Sequence, residues 1–97
     1  MCTRNECLSI LRDNQPQICS EFGVSGMTLF GSVARNENRP DSDIDILVDM
    51  PPKIFMLSEL KIFLESILKS SVDVVRRHSH LSSSFLNQIS HDAVRVF

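Results

Sequence analysis

Apolar positions in this 97-residue chain recur with two periods, and the places where one period gives way to the other outline the elements. From Thr3 or Asn5 to Asp13, Leu8, Ile10 and Leu11 sit among charged side chains, which predicts a short helix. Asn14-Gln15-Pro16 then predicts a stop and a restart, because proline at the first helical position has no needed N–H to lose. A second helical piece follows over Gln17 to Phe22, and Gly23 and Gly26 bracket a turn. Met27-Thr28-Leu29-Phe30 is a strand pattern running straight into Gly31-Ser32, with Ser32 to Arg35 as the first turn of a helix and Asn36 to Asp41 as a polar loop.

Ser42 to Asp49 predicts a second strand. Ile44, Ile46 and Val48 fall on one face, which should meet the core, and Asp43, Asp45, Leu47 and Asp49 fall on the other. Pro51-Pro52 ends it. Ile54 to Lys69 then carries Leu57, Leu60, Leu64, Ile67 and Leu68 at helical spacing, the clearest amphipathic helix of the chain. Its opening cluster, Ile54-Phe55-Met56, is a candidate docking patch as well as candidate core. Ser71 to Arg76 predicts a third strand, Arg77 to Ser84 a polar stretch, Phe85, Leu86 and Ile89 a short helix, and Ala93 to Phe97 an extended or helical end.

Composition narrows the class. A chain this long makes one domain, 1–97, burying roughly 60–70% of its unfolded surface, and 42% hydrophobic with 23% charged residues is ordinary for a globular protein. The longest apolar run, Ile54 to Leu57, falls far short of the roughly 20 residues a membrane helix requires, and the N-terminus lacks a signal-peptide core. The expected location is the cytoplasm, away from membranes. Ten basic against twelve acidic residues leave a net charge of −2, without the basic excess that grips long nucleic acid. Cys2, Cys7 and Cys19 have no metal-ligand spacing and read as reduced thiols, Cys7 and Cys19 packing on helices.

The chemistry concentrates in two spaced motifs and one distant acid. At Gly31 the absence of a side chain where strand turns to helix lets backbone N–H groups approach an anion, and the Ser32 hydroxyl adds a donor to a phosphate oxygen. Asp43 and Asp45 project from one face of a strand, their Cβ atoms roughly 6–7 Å apart at about 3.3 Å rise per residue, so their carboxylates can converge on divalent ions. Asp73, alone among Val72, Val74 and Val75, joins that face if the third strand pairs beside the second.

Plainer readings compete. Asp41-Ser42-Asp43 after Pro40 is also turn chemistry, Asp73 can be a solvated strand-end acid, and Arg35 can be an exposed helix arginine. His78 and His80 lack further ligands for a transition-metal site, and Arg76-Arg77 can steer an anion or merely face solvent.

Taken together, Gly31-Ser32, Arg35, Ser42-Asp43-x-Asp45 and Asp73 resemble the minimal nucleotidyltransferases of the DNA polymerase beta superfamily, and more narrowly the MntA-type antitoxins. The resemblance covers nearly the whole chain, departing mildly at Asn36, where glycine is common and Asn also tolerates left-handed backbone. It implies an α/β (α+β) nucleotidyltransferase fold: a small mixed sheet of three or four strands flanked by helices. It further implies transfer of AMP from ATP to a hydroxyl, with two Mg²⁺ ions. In that scheme Gly31, Ser32 and Ser42 hold the nucleotide, Asp43, Asp45 and Asp73 ligate metal, and Asp73 doubles as base. The implied partner is a HEPN-domain ribonuclease toxin of the HepT type, modified on a tyrosine within a hetero-oligomer. Larger members carry extra domains for their acceptors, so a chain of this length should meet an acceptor that brings its own surface. The alternative is a non-catalytic nucleotide-binding module that neutralises its partner by occlusion, against which three intact carboxylates argue.

Overall fold

The computed structural model describes residues 3–35, 43–77 and 93–97. Thr3 starts α1 (Arg4–Asp13) by accepting the Glu6 N–H at 3.2 Å on its hydroxyl, and Asn14 ends it by donating its side-chain amide to the Ile10 carbonyl at 2.8 Å. The second helix, α2 (Gln15–Phe22), begins two residues before the sequence pattern predicted, because Asn14 serves both helices and Pro16 fits the first turn. It stops at Gly23 in the left-handed region, φ +67°.

The remaining elements are β1 (Gly26–Phe30), α3 (Gly31–Ala34), β2 (Ile44–Asp49), α4 (Ile54–Leu68), β3 (Val72–Arg76) and β4 (Val94–Arg95). They form a four-stranded mixed sheet in the order β3-β2-β1-β4. β1 runs antiparallel to both β2 and β4, whereas β2 and β3 are parallel and need the long crossover that α4 supplies. The final residues are extended, which decides the alternative left open at Ala93 to Phe97. Arg12 of α1 fastens that end by donating to the Val96 carbonyl at 2.9 Å and the Arg95 carbonyl at 3.1 Å. α4 ends one residue earlier than predicted, since Lys69 turns left-handed at φ +55°. The loop over 36–41 and the helix expected around Phe85 lie outside the described residues.

Strand register divides the sheet into two faces. Met27, Leu29, Ile44, Ile46, Val48, Val72, Val74 and Val96 join one core with Leu11 of α1, Ile18 and Phe22 of α2, and Leu60, Leu64 and Leu68 of α4. Each such fully buried side chain contributes about 1.5–3 kcal/mol, and Phe22 meets Phe63 with ring centroids 5.5 Å apart. The opposite face carries Thr28, Phe30, Asp45, Leu47, Asp49, Asp73, Val75 and Arg95. Leu47 is nonetheless buried, lying between Thr28 and Val75 on the neighbouring strands. Among the described residues, no helix is long and apolar enough to cross a membrane.

Candidate functional site

Three strand ends meet at one edge of the second face. Antiparallel pairing sets Phe30, the last residue of β1, against Asp45, and parallel pairing sets Asp45 against Asp73. Because α3 starts immediately after Phe30, Gly31 and Ser32 stand beside the same carboxylate. Asp43 precedes β2 by one residue and is exposed, Asp45 is half-buried, and Asp73 is exposed on β3. The sequence expectation that Asp73 would join the aspartate face is therefore met in the pairing of β2 with β3.

Glycine at position 31 has two physical reasons. Its φ is +77°, a region that side chains disfavour, and a Cβ placed there would fall inside the Asp45 carboxylate, 3.0 Å from Cγ and 3.2 Å from Cβ. Asp45 thus lies directly against backbone. Its carboxyl is held above the ordinary 3.8, first by burial, then by the Asp73 and Asp43 charges, while Arg35 acts in the opposite direction. Like charges facing each other on paired strands destabilise the fold, so this edge concentrates negative charge at a cost.

Arg35 is exposed, as its plainer sequence reading had it, yet its charge reaches the site. It follows Gly31 by four positions, donating its backbone N–H to the Gly31 carbonyl at 3.2 Å, and helical spacing returns it to the edge where Asp45 feels its charge. Arg76 and Arg77 stand at the opposite end of β3. Arg77 pairs with Asp49 at 3.1 Å, and Arg76 donates to the Met50 carbonyl at 3.4 Å. Cys7 is buried and Cys19 half-buried, neither in a disulfide. Ser42, His78 and His80 lie outside the described residues.

As placed, no three His, Cys, Asp or Glu side chains among the described residues form a group that could hold a metal ion. The donors are still of the kind a hard divalent cation takes: carboxylate oxygens on adjacent strands, one of them raised in pKa by burial and then by its acidic neighbours. Chemically, the edge offers an electronegative cluster beside a side-chain-free backbone turn, suited to bringing a polyphosphate and a divalent cation together.

Comparison with known proteins points the same way. Residues 10–96 match the nucleotidyltransferase domain family. The protein adenylyltransferase MntA of Thermococcus cleftensis is 37% identical over 98 residues, spanning 99% of this chain and 98% of its own. A solved chain assigned as a minimal nucleotidyltransferase superposes with a TM-score of 0.76 at 32% identity, covering 96% of this chain and 95% of the other. A chain of the complex between the tri-AMPylated HEPN toxin of Shewanella oneidensis and MNT antitoxin superposes with a TM-score of 0.59 at 28% identity, covering 97% and 68%.

Proposed function

This chain belongs to the nucleotidyltransferase domain family, and from that premise we propose that it is a Mg²⁺-dependent protein adenylyltransferase, moving AMP from ATP to a tyrosine hydroxyl of a HEPN-type ribonuclease toxin and thereby acting as antitoxin. The observation that carries this reading is the pairing of Asp45 with Asp73 beside Gly31, which sets an acid of the second motif and the distant third acid next to the turn expected to take phosphate. Similarity to the MntA adenylyltransferase of Thermococcus cleftensis supports the choice of a protein acceptor. Likeness to the Shewanella oneidensis complex, whose toxin carries AMP, supports a HEPN partner and a hetero-complex. The reading places the activity in one domain, 1–97, and in the cytoplasm.

In this mechanism Asp43, Asp45 and Asp73 would hold Mg²⁺, which supplies positive charge to the triphosphate and to the oxygens entering and leaving phosphorus. The Gly31 backbone and the hydroxyls of Ser32 and Ser42 orient the triphosphate, with Arg35 adding positive potential. Asp73, on the exposed side of the pair, takes the proton of the acceptor hydroxyl. The acceptor oxygen bonds to the α-phosphorus as the α–β bridging bond breaks, and pyrophosphate leaves.

The test is label transfer. The purified chain is incubated with Mg²⁺ and ATP labelled at the α- or the γ-phosphate, with the product of a neighbouring gene, co-expressed, as acceptor. Label should pass to that protein from the α position only, disappear in the double variant Asp43→Asn/Asp45→Asn, and map to tyrosine by mass spectrometry. A partner that co-purifies and is neutralised without label would overturn the proposal in favour of occlusion.

A further inference from the structure

We propose that the flank of α4 beginning at Lys53 is a docking surface for an acidic segment of a partner protein that carries a single apolar anchor residue. A cavity of about 210 Å³ opens there, lined by Pro52, Lys53, Ile54, Leu57 and Arg76. It is far larger than the roughly 10–15 Å³ that holds one water, and its lining is mainly apolar. Around it Ile54 is 73% and Phe55 84% exposed, whereas Met56, the third member of the cluster, packs against the core. Large apolar side chains left in water beside an apolar recess mark a contact surface.

Charge indicates what fills it. Lys53 and Arg76 flank the cavity, and neither faces a carboxylate at ion-pair distance among the described residues, unlike Arg77 with Asp49. Lys61 stands two turns along the same flank as Ile54. α4 has no acidic residue in its first turn and no side chain capping it, so carboxylates supplied from outside would meet two cations and open backbone donors together. On a chain of net charge −2 this basic flank is a local feature.

Other occupants fit less well. A small anion makes no use of Ile54 and Phe55. A second copy of this chain, in a two-fold contact centred here, would set Lys53 and Arg76 against themselves, and a few exposed apolar side chains fall well short of the roughly 800 Å² per partner of a stable interface. The flank lies at the C-terminal ends of β2 and β3, opposite the Asp45–Asp73 edge, so a segment bound there leaves that edge open.

The test uses the ¹⁵N-labelled full chain and four probes: a capped peptide Glu-Glu-Leu-Asp-Glu, its neutral form Gln-Gln-Leu-Asn-Gln, its anchorless form Glu-Glu-Gly-Asp-Glu, and inorganic phosphate. The acidic peptide with leucine should shift the amides of residues 53–57 and 76 while sparing Asp45 and Asp73. Its affinity should fall about fivefold or more in Lys53→Glu, and likewise in Ile54→Ser, both exposed positions that leave the fold intact. Equal shifts from the anchorless peptide or phosphate would reduce the flank to an anion site and overturn the proposal. So would shifts elsewhere, none at millimolar peptide, or patch shifts that follow protein concentration alone, which would identify a second copy. None of these readouts depends on nucleotide transfer.

Discussion

Asp45 and Asp49 sit four residues apart on the same strand and the same face, both half-buried, and each presses against a glycine of the segment around β1. Their surroundings differ. Asp49 stands at 3.1 Å from the Arg77 guanidinium, and its backbone carbonyl accepts from the Ser25 N–H at 2.8 Å. Asp45 is raised in pKa by burial and then by the two acids nearby, Asp73 and Asp43. One end of β2 is an acid that the fold has neutralised. At the other end, acidic charge accumulates at the expense of stability, as the proposed function requires of the edge that would take a cation and a substrate.

The sharpest way to break this contrast is to make the same change at both ends. Asp45→Asn or Asp73→Asn should lower label transfer by about 100- to 1,000-fold, as loss of a group acting on the developing charge does. Asp49→Asn should leave transfer within about twofold, since Arg77 and Asp49 share no residue with the edge. Initial rates with α-labelled ATP at saturating acceptor separate the outcomes. Equal losses at both ends would show that the whole acidic face, rather than one edge of it, carries the chemistry.

The glycines offer a second pair. Gly31→Ala meets both a positive φ and the body of the Asp45 carboxylate, so it should cost about 3 kcal/mol in urea unfolding and abolish transfer. Gly26→Ala would bring a Cβ to 2.9 Å from Asp49 Oδ2, the far end of a side chain whose Cβ and Cγ stay 3.8 Å away. A loss of about 1 kcal/mol or less is expected there, with transfer retained.

That asymmetry was partly legible in the sequence. The alternation Ile44, Ile46, Val48 against Asp45, Leu47, Asp49 placed Asp45 and Asp49 on one face correctly, because a strand buried on one side cannot slip by a residue without exposing its core, whereas Asp43, expected in the same strand, precedes it. The position of Asp73 rested on a condition, pairing of β3 beside β2, which no local pattern contains; the α4 crossover provides it as a parallel pair. Burial of Leu47 was hidden for the same reason, since it depends on Thr28 and Val75 from other strands. Arg35 is exposed as the sequence allowed, and what no local pattern contains is the influence of its charge on Asp45. The start of α2 at Gln15 shows how a helix boundary can hinge on Asn14 closing one helix and opening the next.

A smaller effect should appear in the pH dependence of stability. Folded Asp45 binds its proton more tightly than the unfolded chain does, so its contribution is fully present below about pH 4 and is lost as pH rises through its raised pKa. In EDTA, thermal unfolding should therefore show a downward slope above pH 4 that Asp45→Asn flattens. At pH 7.5 that variant should melt higher than the parent while being inactive. Mg²⁺ at ten times its Kd should restore about 1.4 kcal/mol to the parent and little to the variant. A parent that gains nothing from Mg²⁺ would remove the metal from the mechanism.

The smallest expected effect lies at the neutralised end. Asp49 and Arg77 are each nearly half exposed, so a double-mutant cycle with Asp49→Asn and Arg77→Gln should give a coupling of about 0.5 kcal/mol that fades in 0.5 M salt. Val48 adds a backbone tie, its carbonyl accepting the Arg77 N–H at 2.7 Å, and neither substitution disturbs that bond. Since the backbone already holds Arg77 in place, the ion pair has little left to organise, and its main effect is to cancel charge. A coupling above about 2 kcal/mol would mean that Asp49 helps position β3 itself. The register that sets Asp73 beside Asp45 would then depend on the far end of the strand, and the two ends of β2 would no longer be separable.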